Sequence, residues 1–320
     1  MNPAFQLMKR PAFFVLFAVL TACGQNYREN SSFRFEQDDY GVTLTEKGKP
    51  VFYYRKEPKT LTGEYVCNNY IHPLYALNGD TLTEEFPLDH PYHRGIFWSW
   101  HQVYLDSTSL GDHWIMKDII HEVRDIHTGT NQAKATLDLE VAWSSVLLEN
   151  GKAFMKEKTN ITVHPLSTGV RAIDFKISLQ ALIPGISLGG SDDKKGYGGL
   201  CARIKLPDDL VFTSSQGAVE PLTLQVIAGP WMDFSGSFGT SDKVSGLTIC
   251  CHPSTPNYPA PWILRQKTSM QNIVFPGRNR VKIATDHPTI LRYRLIVHEG
   301  LADELNLPSL QAEYEETVFK

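Results

Sequence analysis

Apolar and polar residues alternate along most of this chain with a period of two, the spacing that puts successive side chains on opposite faces of a strand. Residues 42–46 and 50–54 flank Lys47-Gly48-Lys49 and predict a hairpin. Residues 135–143 alternate cleanly. Residues 146–148 and 153–155 are expected to meet across Glu149-Asn150-Gly151-Lys152, whose Asn-Gly pair tolerates the positive φ of a tight turn. Residues 158–164 and 169–178 continue the meander, and later strands are predicted at 200–206, 222–227, 246–251, 279–284 and 289–297. Helical spacing is confined to 302–314. The pattern predicts an all-β fold, a large antiparallel β-sandwich in a single domain over residues 33–320. No repeat of propeller-blade length is present.

The first residues are set apart from this fold. Lys9 and Arg10 precede the apolar run 11–20, and Leu20-Thr21-Ala22-Cys23 follows. A basic start, a short apolar core and small residues before a cysteine predict a secretory signal over residues 1–22. The last four of these resemble a bacterial lipobox. The expectation is cleavage before Cys23, acylation of Cys23, and a protein lipid-anchored to a membrane outside the cytoplasm. Residues 23–32 are polar and read as a flexible tether.

Composition narrows the partners. The chain carries a net charge of −4 with histidines neutral, and loss of Lys9 and Arg10 with the signal makes it two units more negative. Nucleic acid is therefore excluded as an expected partner, leaving a small molecule or glycan. Cys67, Cys201, Cys250 and Cys251 show no disulfide framework in their spacing. Alternation places the neighbouring Cys250 and Cys251 on opposite faces of a strand, where both read as buried thiols.

The densest chemistry lies in Asp89-His90-Pro91-Tyr92-His93-Arg94-Gly95-Ile96-Phe97-Trp98-Ser99-Trp100-His101. Histidine titrates near neutrality and ligates metals, and tryptophan offers an apolar face to a sugar ring. His90, His93 and Arg94 are expected on a loop entering a strand over 96–103. On that strand Phe97, Ser99 and His101 share one face, and Ile96, Trp98 and Trp100 share the other. Trp98 and Trp100 are either core or a ligand platform. His90, His93, Arg94 and His101 are the candidate catalytic residues, together with Asp112 and His113 of Gly111-Asp112-His113-Trp114, where Asp112 can orient a histidine or act as a base. Arg94 would fix a carboxylate or an oxyanion. An alternative is a divalent metal held by His90, His93 and His101, with His72 nearby. Candidate substrate-binding residues are His72, Trp98, Lys195 and Tyr197 of the glycine-rich loop 189–199, and His252 and Trp262 of a proline-rich loop. The glycine-rich loop lacks the phosphate-cradling pattern.

Tyr70-Ile71-His72-Pro73-Leu74-Tyr75, Gly79-Asp80-Thr81-Leu82-Thr83, the block from Phe86 to Gly95, and Trp98-Ser99-Trp100-His101 together resemble the DUF6807 family. The likeness continues through Gly196-Tyr197-Gly198-Gly199 and Tyr293-Arg294-Leu295-Ile296-Val297-His298-Glu299-Gly300. Members are often labelled "methane oxygenase PmoA", although the methane monooxygenase subunit of that name is a bundle of membrane helices. What the resemblance implies is a secreted bacterial protein handling plant or microbial glycans. By analogy of strand content and size, the expected fold is a β-supersandwich similar to that of galactose mutarotases. The expected function is a carbohydrate-active enzyme using histidine and carboxylate acid-base catalysis for hydrolysis, elimination or epimerisation. Glu84, Glu85, Asp89 and Asp112 are the carboxylates available to it. The alternatives are a non-catalytic glycan-binding surface lipoprotein and a metal-dependent oxygenase.

Overall fold

A computed structural model describes residues 31–240 and 243–317. The signal, Cys23 and most of the tether lie outside the described residues. The described chain is all-β, with 21 strands in three sheets of eight, nine and four strands. Every strand pair is antiparallel.

Alternation explains the layering. In the strand Ile96–Ser99 of the eight-stranded sheet, Ile96 and Trp98 enter the largest core. Phe97 enters a second core on the opposite face, with Trp114, Cys201, Ile263 and Met270. The largest core also takes Leu137, Val141, Phe175, Leu291 and Leu295 from the nine-stranded sheet, so the two large sheets share it. A third core lies under the helix Leu307–Glu315, where Trp231, Cys250 and Ile296 meet Leu307 and Tyr314. Cys251 faces the largest core and Cys250 the third, the opposite orientations that alternation requires.

The predicted hairpin at Lys47-Gly48 forms between Gly41–Glu46 and Lys49–Arg55, with φ of 50° and 77° at the two turn residues. Other segments differ from expectation for identifiable reasons. Residues 146–148 are not a strand: Ala135–Ser145 pairs directly with Ala153–Val163, and Val146 and Leu147 are exposed in the connection. Residues 158–164 continue that second strand up to Val163 instead of forming one of their own. Residues 200–206 and 279–284 shrink to Gly199–Ala202 and Val281–Lys282. Residues 222–227 form no strand, and their Leu222, Leu224 and Ile227 side chains are exposed. Their backbone does other work at the site described below. Residues 302–314 split at Asn306, which caps the helix Leu307–Glu315 by accepting from the Ser309 amide.

Candidate functional site

The expected strand over 96–103 breaks at Trp100 and His101. Ile96–Ser99 ends in the eight-stranded sheet, and Gln102–Leu105 begins in the four-stranded sheet. Gln102–Leu105 then pairs with Thr108–Gly111, Val103 opposite Gly111. This hairpin brings the residues just beyond its open end together, and they are His101 and Asp112.

His101 Nδ1 lies 2.8 Å from Asp112 Oδ2. A carboxylate only accepts, so neutral His101 carries its proton on Nδ1 and a lone pair on Nε2. Asp112 is fixed in turn, because its Oδ1 accepts from the Trp114 amide at 2.9 Å. The His101 ring stacks on Trp114 at 5.1 Å and meets the edge of Tyr197 at 4.9 Å. Nε2 is buried and has no hydrogen-bond partner among the described residues.

Trp114 and Tyr197 line a cleft of about 190 Å³ over the second core. His90, Tyr92, His93, Lys195 and Arg265 also line it; among the described residues no carboxylate does, and His101 packs against this lining without being part of it. Lys195 and Tyr197 come from the glycine-rich loop. Asp193 Oδ1 shapes that loop by accepting from the Ser191 hydroxyl and the Lys195 amide, both at 2.8 Å. Burial and the nearby Tyr92, Asp193 and Asp112 push the Tyr197 hydroxyl up to about 12, so it remains a proton donor at neutral pH.

The rim of the cleft is tied by Arg203, which sequence reasoning missed. Arg203 holds Asp89 through Nη1 and Nη2, each at 2.8 Å, and holds Glu84 through Nε at 2.8 Å. Asp89 also binds His90 Nδ1 at 2.7 Å and the Ser269 amide at 2.8 Å. Burial opposes its ionisation, but Arg203, His90 and the Ser269 amide outweigh that and hold the Asp89 carboxyl well below the usual range. The missed signal was an arginine inside the apolar run Leu200-Cys201-Ala202-Arg203-Ile204, since a buried arginine requires an acidic partner.

His90 and His93 stack face to face, centroids 4.6 Å apart and planes 2° from parallel. Ring-nitrogen lone pairs lie in the ring planes, so this stacking does not aim both histidines at one ion. Among the described residues no three His, Cys, Asp or Glu side chains converge as metal ligands, and His90, His93 and His101 form no such set. His93 is buried and neutral: burial, with His90, Arg203 and Arg94 nearby, pushes it down to about 2.

The other expected site residues lie elsewhere. Arg94 is buried against Phe97 and donates to the Tyr92 and Trp114 carbonyls, so it braces the loop from beneath. His113 is fully buried between Trp100 and Trp143, with Nε2 2.7 Å from His121 Nε2. Since the Ser99 hydroxyl donates to the His113 carbonyl, it accepts from His113 Nδ1, and His121 must then donate to His113 Nε2. That chain runs through the interior and ends at the buried His121 Nδ1, away from the cleft. Trp98 and Trp262 are core: their indole N–H groups donate to Glu157 at 2.9 Å and to the Gly229 carbonyl at 3.0 Å. Trp100 is core as well. His72 pairs with the Thr83 hydroxyl, and His252 bonds Ser254 and the Glu315 carbonyl beside the helix; neither lines the cleft.

Fold and site together define an all-β protein with a histidine-rich cleft set on the outer aromatic core of its eight-stranded sheet. The chain belongs to DUF6807, described as a family of unknown function, whose model matches residues 41–311. No curated protein matches it. The methane-oxygenase label does not apply: the architecture is all-β, and no helix among the described residues is long and apolar enough to cross a membrane. That label was the only ground for the metal-dependent oxygenase alternative. The lipid anchor and the lipoprotein reading are also withdrawn. Cys23 lies outside the described residues, and Cys67, Cys201, Cys250 and Cys251 are all buried, so no described cysteine offers a lipid an attachment point. The family description names no carbohydrate, so sugar chemistry enters only as a proposal.

Proposed function

We propose that the cleft is the active site of an enzyme that moves a proton on a sugar or modified glycoside, with His101 as the acid-base group and Asp112 as the residue that positions it. The observation that carries this reading is the His101 ring itself, anchored to Asp112 through Nδ1 at 2.8 Å and packed against Trp114 and Tyr197 of the cleft lining, while Nε2 has no hydrogen-bond partner among the described residues. When Nε2 takes a proton, Asp112 stabilises the resulting imidazolium. Tyr197, edge-on to His101, supplies a hydroxyl that can return a proton to a leaving oxygen.

The carboxylates favour elimination or epimerisation over two-carboxylate hydrolysis. Glu84 and Asp89 are committed to Arg203, Glu85 to Lys59 and Tyr70, and Asp112 to His101; none lines the cleft. For the fold, the shared core of the two large sheets supports a sandwich similar to that of galactose mutarotases.

The test compares the wild type, His101→Gln and Asp112→Asn on a panel of glycosides and oxidised sugars. Turnover should fall about 10²–10⁴-fold in His101→Gln with ligand affinity retained. Binding without turnover by the wild type on every member would favour the glycan-binding alternative, which the half-buried Tyr65, Tyr92 and Tyr197 also fit.

A further inference from the structure

The lining of the cleft holds two basic side chains, Lys195 and Arg265, and among the described residues no acid. Neither cation joins an ion pair among the described residues; the side chains near them are spoken for otherwise. Asp193 Oδ1 accepts from the Ser191 hydroxyl and the amides of Lys195 and Gly196 and makes no ion pair with Lys195, though the Lys195 charge is among the causes that hold its carboxyl low; Asp89 is committed to Arg203 and His90, and Asp112 to His101.

Arg265 is held by carbonyls. Nη1 donates to Leu222 O at 2.9 Å and Leu264 O at 2.7 Å, and Nη2 donates to Thr223 O at 3.1 Å. Three of its five N–H groups are thereby used and two remain. Carbonyl dipoles orient a guanidinium without neutralising it. Burial accordingly pulls Arg265 below its ordinary value, and Tyr197 is the group that pushes it back up. The segment 222–227, which forms no strand, supplies two of these carbonyls, and its Gln225 side chain donates to the Lys195 carbonyl at 2.8 Å. One segment thus holds the Arg265 guanidinium and the backbone of Lys195. A further donor or acceptor is left open at the floor: His93 Nδ1 is buried with no hydrogen-bond partner among the described residues, on a side chain that lines the same cleft.

A partly desolvated guanidinium oriented by carbonyls and without an ion-pair partner, with a lysine in the same lining, is costly unless an anion visits it. We infer that the substrate of this cleft carries an anionic group, a carboxylate or a phosphate, seated on Lys195 and Arg265. The inference rests on the cleft being the reacting site. It also gives the proposed proton transfer a rationale: neutralising a carboxylate stabilises the carbanion formed when a base removes the proton next to it.

The experiment is isothermal titration of the whole protein with glucuronate, glucose 6-phosphate and glucose, repeated with Lys195→Ala and Arg265→Gln. At least one of the two acids should bind about tenfold or more tightly than glucose, a difference of ~1.4 kcal/mol. That advantage should shrink in both variants. Preference for glucuronate identifies a carboxylate, and preference for glucose 6-phosphate a phosphate. If neither acid binds better than glucose, or the preference survives both substitutions, the inference is overturned. Lys195 is on a surface loop, so its variant reads charge even if Arg265→Gln fails to fold. His101→Gln, titrated alongside, separates the two readings: it should keep the anion preference while losing turnover.

Discussion

Replacing Asp89 by Asn tests how the rim of the cleft is held. The carboxylate accepts from both Arg203 Nη atoms and the Ser269 amide at 2.8 Å, and from His90 at 2.7 Å. Asn keeps one acceptor oxygen and turns an NH₂ group toward a guanidinium whose side chain is only 4% exposed. Breaking a buried pair from one side costs about 3–5 kcal/mol, and the Asp89 side chain is 25% open to water, so we expect a loss discounted below that range, about 2–3 kcal/mol. Urea denaturation gives the difference directly. The sign of its pH dependence follows from the depressed carboxyl: the contribution is fully present above the unfolded value of ~3.9 and is lost as pH falls from there toward the lower folded value. The wild-type advantage should therefore be flat from neutrality to about pH 5 and narrow below about pH 4. A loss under about 0.5 kcal/mol, or a gap unchanged by acid, would refute the assignment of Arg203 and Asp89 as the clasp of the site.

Acid should weaken the fold before its carboxylates titrate. Burial is the main cause that pushes His93 down to about 2, His121 to about 3 and His113 well below its ordinary value, so each is neutral when folded and takes up a proton on unfolding below about pH 6.5. Stability should fall on acidification between pH 6 and 4.5 by up to ~1.4 kcal/mol per pH unit for each histidine, and His113→Phe with His121→Leu should flatten that slope. Gly95→Ala should be severely destabilising, because Gly95 has φ +52° and an added Cβ would run into the Ile71 carbonyl oxygen; a thermal melt unchanged from wild type would contradict this.

The location of the site was legible because its chemistry is local: His90, His93, Asp112 and His101 fall within one stretch, and the expectation that Asp112 orients a histidine matches the contact made. The faces of Phe97, Trp98 and Trp100 also followed from alternation, and His101 stacks on Trp114 on the Phe97 side of the sheet. What was not legible came from far along the chain. Arg203, Arg265 and Ser269 reach the cleft because Gly199–Ala202 and Gln271–Ile273 pair next to Ile96–Ser99, and no local pattern encodes which strands become neighbours. His113 and Trp262 look like ligands in sequence because polar handles on large rings are ambiguous. Burial decides them, and burial is a tertiary property.

The four described cysteines are shared out among the three cores: Cys67 and Cys201 beneath the cleft, Cys251 between the large sheets, and Cys250 beneath the helix. Burial keeps each thiol protonated, pushing Cys67 up to about 11 and Cys251 up to about 12, so none is a nucleophile while its layer is closed. A thiol reagent therefore acts as a clock with a separate hand for each layer. The order in which the four are labelled in native buffer would report which layer breathes first, and whether the floor of the cleft opens independently of the rest.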